Sequence, residues 1–318
     1  MPITLNRRML VGLCAATLAG VASADGGTVK LVVGFPAGGS ADLLARAVSD
    51  KLATALGSTV IVENRPGSGG RLAAAVLKAA APDGRTILIT PTAPIAIAPY
   101  TFRKLNYDPQ TDFAPVAKLV DMPLAIAVGA GSPNKTLADL THWFKAHPDK
   151  AAFGTSAAGS QLHFLGIMYG QAAKVDLVHV AYQGGAPLLT DLIGGQIPAG
   201  IDQFPLEFYK TGKIRLLAQS AGTRSPLLPD VPTFKEQGVN VEGLAWMGAF
   251  VPAKTPEAVI QKVGAALIDA VNQPDVKAKL AASGFESAGQ PANEFAAQVE
   301  ADQARWKKVV EVSGFRAD

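Results

Sequence analysis

The chain has 318 residues, 29 of them basic and 26 acidic, for a net charge of +3 at neutral pH. That near-balance lacks the basic excess of a nucleic-acid binder, so no DNA or RNA partner is expected. Cys14 is the only cysteine, which excludes internal disulfides and cysteine metal sites, and none of the four histidines has zinc-ligand spacing.

Arg7-Arg8, the apolar run from Met9 to Val21 and the ending Ala22-Ser23-Ala24 have the layout of a secretion signal. The run is shorter than the roughly 20 apolar residues that span a bilayer. Residues 1–24 are therefore expected to be a signal peptide cleaved after Ala24. The arginine pair leaves open whether export is general or twin-arginine. The mature chain would carry 27 basic against 26 acidic residues. No later run reads as transmembrane.

Thr28 to Phe35 is apolar and β-branched, and predicts a buried strand. Pro36-Ala37-Gly38-Gly39 breaks it, and Ser40 is placed to cap a helix running to about Leu56, with Leu44, Val48 and Leu52 at helical spacing. Asp42 sits in the first turn, where the helix dipole favours an acid, four residues before Arg46. The pattern then repeats: a strand over Thr59–Val62, a glycine-rich loop over Asn64–Gly70, a helix over Arg71–Ala80 and a strand over Thr86–Thr90. Alternation of this kind predicts an α/β fold with a parallel sheet, whose ligands bind beyond the carboxyl ends of the strands.

A second series follows. Strands are predicted over Leu124–Val128, Ala151–Thr155, Leu177–Ala181, Ala199–Asp202 and Ile214–Gln219. Helices are predicted after Thr136, after Ser160 and over Ala186–Ile193. Arg224–Pro232, with three prolines, reads as an extended connector. The tail reads as three helices, Pro256–Val271, Pro274–Ser283 and Pro291–Ser313, without strands of their own, folded back on the first sheet. Two lobes with two crossings, near Pro123–Val128 and Ala245–Val251, enclose a cleft suited to a small ligand. The expected division is 25–124 with 248–318 for lobe 1 and 125–247 for lobe 2.

Two segments lead from a strand into a helix through small residues: Gly34 to Ser40, and Gly154 to Gln161. A helix start offers unpaired N–H groups and a partial positive charge. Two such ends facing one cleft suit an anion. Gln183, in a third strand-to-helix loop, can donate and accept hydrogen bonds. Asp202 can receive an ammonium or hydroxyl group, or cap the helix that begins near Pro205. Arg65 is expected to be exposed or to brace its own loop. A serine hydrolase using Ser156 is the alternative, but Gly154-Thr155-Ser156-Ala157-Ala158 lacks one glycine of G-x-S-x-G, and His163 follows in the same helix.

Six ordered blocks carry a family resemblance. They are Phe35 to Asp42 with Ala45-Arg46, Glu63 to Gly70, Ala81 to Gly84, Tyr107 to Phe113, His179 to Ala186, and Arg224 to Phe234. Together they resemble the Bug family, the extracytoplasmic receptors of tripartite tricarboxylate transporters, over essentially the whole mature chain. The resemblance implies a two-lobed periplasmic binding protein fold of type II with the ligand cleft between lobes. It also implies a small carboxylate ligand (a di- or tricarboxylate, amino acid or aromatic carboxylate), possible membrane transporter subunits as partners, a monomer, no cofactor and no catalysis. Carried over residue by residue, the ligand set is Phe35, Ala37, Gly38, Gly39, Ser40, Ser156, Ala157, Ala158, Ser160 and Asp202, with Gln183 and Thr92 beside them. Thr90-Pro91-Thr92-Ala93 departs from the family, which often has Ser-Asn in that loop.

Overall fold

The computed structural model describes residues 27–317. The signal segment, Cys14 and the expected cleavage site lie outside the described residues.

The first half of the chain alternates as predicted: β1 (Val29–Val33), α1 (Ser40–Leu56), β2 (Val60–Asn64), α2 (Arg71–Lys78) and β3 (Thr86–Pro91). Leu31, Val32 and Val33 are all buried, as befits a strand covered on both faces. Short helices α3 (Ala98–Thr101) and α4 (Pro109–Asp112) lead into β4 (Phe113–Met122). Next come β5 (Ala125–Gly129), α5 (Leu137–Ala146), β6 (Ala152–Thr155), α6 (Gln161–Ala173), β7 (Val178–Ala181), α7 (Gly185–Ile193), β8 (Gly200–Asp202), α8 (Leu206–Lys210) and β9 (Ile214–Gln219). The chain ends with β10 (Ala245–Pro252), α9 (Glu257–Asn272), α10 (Pro274–Ala282), β11 (Glu286–Pro291) and α11 (Ala292–Ser313).

Two sheets result. The first has six strands in the order β11-β4-β10-β3-β1-β2, the second five in the order β7-β6-β8-β5-β9. Parallel pairing holds for β1 with β2 and β3, and for β6 with β7 and β8. The parallel sheet expected of β1, β2 and β3 forms, and β10, β4 and β11 extend it by antiparallel pairing. The reason lies in the crossings: β4 leaves the first sheet for the second, and β10 returns beside it in the opposite direction.

The tail is not strand-free. β11 lies between α10 and α11 and pairs with β4, although Glu286-Ser287-Ala288-Gly289-Gln290-Pro291 has no apolar run. It is an edge strand held by backbone pairing. The proline connector is compact rather than extended. Gln219 donates to the carbonyls of Leu228 and Val231 and accepts from the Ser225 N–H at 2.8 Å, and Leu228 and Val231 are buried.

The helical tail does return to the first sheet. Trp246 of β10 is fully buried, its ring meets Phe295 of α11 edge-on at 4.9 Å, and its indole N–H donates to Asp302 at 2.8 Å. β10 enters the first sheet at Ala245, ahead of the boundary expected at 247. Ser220 fastens the two crossings together. Its N–H donates to Leu124 O at 2.9 Å, its hydroxyl to Gly243 O at 2.8 Å, and its carbonyl accepts from the Gly243 N–H at 2.9 Å. No helix among the described residues is long and apolar enough to cross a membrane.

Candidate functional site

Chain chemistry leaves most helix starts without a side-chain cap, and those of α1 and α6 follow the two small-residue loops. Gly39 stands at the N-cap of α1 and has no side chain to offer the first-turn N–H groups. Ser40 was the expected cap but is the first helical residue. At α6, Ser160 does hold the N-cap position, yet its hydroxyl turns back to donate to Ala157 O at 2.7 Å and caps nothing. By contrast, Thr136 and Asp139 close α5 with a full capping box, as Thr136 promised. The uncapped ends of α1 and α6 keep donors and positive dipole ends available.

The lobe 1 loop is set by Asp42, read from the sequence as a helix-dipole acid that can pair with Arg46; that pair forms. Asp42 is buried and accepts from the Gly38 N–H, from Arg46 Nε and from Asn64 Nδ2, each at 2.9 Å. Asn64 also donates to Phe35 O at 3.1 Å, joining the loops after β1 and β2. The Arg46 hydrogen bond, helped by those from Gly38 and Asn64, outweighs burial and lowers the Asp42 carboxyl to about 2. Gly38 thus spends its N–H inside the loop, and Gly39 donates to Pro36 O at 3.2 Å. The open donors belong to the first turn of α1. Arg65 pairs with Glu63 of its own loop, as expected. Gly70, at φ +89°, lets this loop close on Phe35 and Pro94, where a Cβ would stand 3.1 Å from each ring.

Phe35, Ala157, Ala158, Ser160 and Asp202 line one cavity of about 530 Å³, within the ~300–1,000 Å³ of small-molecule pockets. Ala37, Gly38, Gly39, Ser40, Ser156 and Gln183 are not among its lining residues. Thr92 is buried, and its hydroxyl is engaged on both sides by the Trp246 backbone, donating to O at 3.2 Å and accepting from N at 3.1 Å. The sequence reading missed Ser68, Gly69, Arg71 and Phe102 in the wall.

Asp202 is only 9 % exposed. Its Oδ1 accepts from the Gln203 N–H at 2.8 Å, and its Oδ2 has no hydrogen-bond partner. It does not cap α8. Burial raises its carboxyl above the usual range, against the opposing pull of neighbouring Ser156 and the Gln203 N–H. A buried polar atom left this way calls for a donor.

The serine-hydrolase arrangement does not form. His163 and His179 stack at 3.9 Å. His163 Nδ1 accepts from the Gly159 N–H at 3.3 Å, and His179 Nε2 lies 2.8 Å from Thr155 Oγ1. Among the described residues no hydrogen bond joins either ring to Ser156, so the nucleophile has no base. The described residues also hold no cluster of metal-ligating side chains.

Two α/β lobes, two short crossings and a cavity reached by residues of both define a solute-binding protein of the periplasmic type. The profile of the tripartite tricarboxylate transporter family receptors matches residues 44–315. BugT of Bordetella pertussis is 30 % identical over 315 residues, covering 96 % of each chain. Two solved structures from Rhodopseudomonas palustris are also similar. MatC with bound malate is 33 % identical, with a TM-score of 0.75 over 89 % of this chain and 99 % of that one. Rpa4515 with adipate is 31 % identical, with a TM-score of 0.79 over 91 % and 98 %. The chain belongs to the Bug family of tripartite tricarboxylate transporter receptors, and it is a solute-binding receptor.

Proposed function

We propose that this receptor is exported, loses residues 1–24, and captures a small carboxylate between its lobes for delivery to membrane transporter subunits or a sensor. The observation that carries the reading is one cavity lined by residues of both lobes, at which the uncapped start of α6 and the unpartnered Oδ2 of Asp202 lie together, with the uncapped start of α1 five residues beyond Phe35 of the wall. A carboxylate suits the open N–H groups and the dipole ends. Asp202 then receives a hydroxyl or ammonium group of the ligand. Phe35 and Ala157 to Ser160 contact the ligand directly, and Ala37, Gly38, Gly39, Ser40, Ser156 and Gln183 join the site as the lobes approach. Thr92 keeps its structural place. MatC and Rpa4515, which carry malate and adipate, lend support as relatives.

Lobe 1 is read as 25–124 with 248–318 and lobe 2 as 125–247, except that Ala245–Met247, the start of β10, pair with the first sheet and go with lobe 1. The receptor acts as a monomer and performs no chemistry. A thermal-shift screen of carboxylic acids at neutral pH tests the reading: specific acids raise the melting temperature by mass action. Stabilisation by neutral solutes alone would sink it. Mass spectrometry of gently purified protein checks both the mature start at Asp25 and the recovery of the bound acid unchanged.

A further inference from the structure

Arg71 is a cation placed where its own helix disfavours one. It is the first residue of α2, at the positive end of the helix dipole. Local rules of this kind are broken chiefly at functional or strained positions. Its guanidinium carbon lies 3.3 Å from the centre of the Phe102 ring. The ring covers one face and fixes the plane, while the in-plane N–H donors stay free to meet a carboxylate edge-on. Among the described residues Arg71 makes no ion pair. It is half-buried and, among the described residues, is the one basic side chain lining the cavity.

The opposite lobe supplies the other end, the uncapped start of α6 at Ala157 to Gln161. Pro94, Ala98, Met122 and Leu124 line the cavity as well and offer no side-chain donor or acceptor for an ordinary hydrogen bond. The cavity therefore has anion-seeking groups on both lobes and an apolar wall.

We propose that Arg71, braced by Phe102, is a second anion subsite, and that the ligand is a dianion that spans the apolar wall with one acidic end on each lobe, Asp202 being left to a hydroxyl or ammonium between them where the ligand carries one. The proposal rests on the carboxylate reading of the α6 end. One acid group on each lobe also explains how ligand favours the closed pair of lobes, since only a molecule touching both does so.

The test is isothermal titration of matched acids, adipate against hexanoate and terephthalate against benzoate, into wild type, Arg71→Gln, Arg71→Lys and Phe102→Leu. Melting temperatures of the ligand-free variants verify folding. A charge-assisted pair is worth roughly 10- to 100-fold in affinity. Wild type should prefer each diacid by about that factor. Arg71→Gln should abolish the preference while leaving the monoacids within about twofold, and Arg71→Lys should restore part of it. Phe102→Leu should reduce it by loosening the guanidinium. Equal affinity for mono- and diacids in wild type, or a diacid preference that survives Arg71→Gln, overturns the Arg71 subsite and leaves the carboxylate reading standing. Failure of every mono- and dicarboxylate to bind overturns that reading too.

Discussion

Acid should weaken lobe 2 through its stacked histidines. His163 is 6 % exposed, packs between His179 and the Phe153, Phe164 and Phe315 rings, and uses Nδ1 to accept from the Gly159 N–H. Burial first, and the second imidazole next, lower its pKa from 6.5 to about 4; burial lowers His179 as well. The folded state thus resists a proton that the unfolded chain accepts. The stabilising contribution is complete above pH 6.5 and is lost as pH falls from 6.5 toward 4. At pH 5, linkage for His163 alone amounts to about 2 kcal/mol, and partial solvent screening trims this to about 1–2 kcal/mol. Several carboxyls work the other way. Burial raises Asp121, Asp202, Glu286 and Asp302, so their titration favours the folded state as pH falls. The comparison must therefore be differential. His163→Asn keeps an acceptor for Gly159 and removes the titration. Urea unfolding at pH 7.5 and pH 5 should show wild type losing about 1–2 kcal/mol more than the variant over that interval. Equal losses in the two proteins would refute the assignment of the acid sensitivity to His163.

Three further substitutions probe the frame around the site. Asp42→Ala removes the acceptor for Gly38, Arg46 and Asn64 together, and should cost about 1–3 kcal/mol in urea unfolding at pH 7. Because its folded pKa is lowered from 3.8 to about 2, the ionised-state part of that loss should fade as pH falls from 3.8 toward 2. Gly166→Ala places a Cβ 2.0 Å from Phe153 Cε2. Overpacking of about 1–3 kcal/mol should exceed the helix-propensity gain of about 1 kcal/mol, and thermal melting should show net destabilisation. Ser220→Ala removes the hydroxyl bond to Gly243 at the crossings, and should cost about 1–2 kcal/mol in the same assay.

Local chemistry made much of the fold legible. The β1-α1-β2-α2-β3 series shows because buried parallel strands are short β-branched runs and the turns between them need glycine. Thr136 showed its cap because the capping box is written in four consecutive residues. What stayed hidden depends on distant partners. β11 carries no apolar period and exists because β4 offers it a backbone edge. Ser40 and Ser160 both read as caps, and nothing local reveals that one lies inside its helix and the other turns its hydroxyl away. Asp42 looked like a dipole acid. Its three-way hydrogen bonding needs Asn64, which only the β1–β2 pairing brings near. Phe102 had no sequence signal, but Arg71 had one: a cation in the first turn of a helix, against the dipole.

The two lobes meet at the C-terminal helix. α11 is tied to the first sheet by Phe295 and Asp302, through Trp246. Its far end reaches the other lobe. Trp306 packs 6.4 Å from Phe164 of α6, and Phe315 stands edge-on to His163 and Phe164 at 5.0 and 5.8 Å. A Cβ on Gly159, in the loop before α6, would stand 2.8 Å from the Phe315 ring. The helix that presents its open amides to the cavity therefore rests, at that same end, on a segment anchored in the opposite lobe. Two kinds of contact therefore join the lobes here: ring packing between α6 and the Trp306–Phe315 segment, and directional hydrogen bonds from Ser220 between the crossings. Ring packing tolerates small changes of geometry, whereas a hydrogen bond weakens steeply as its angle closes.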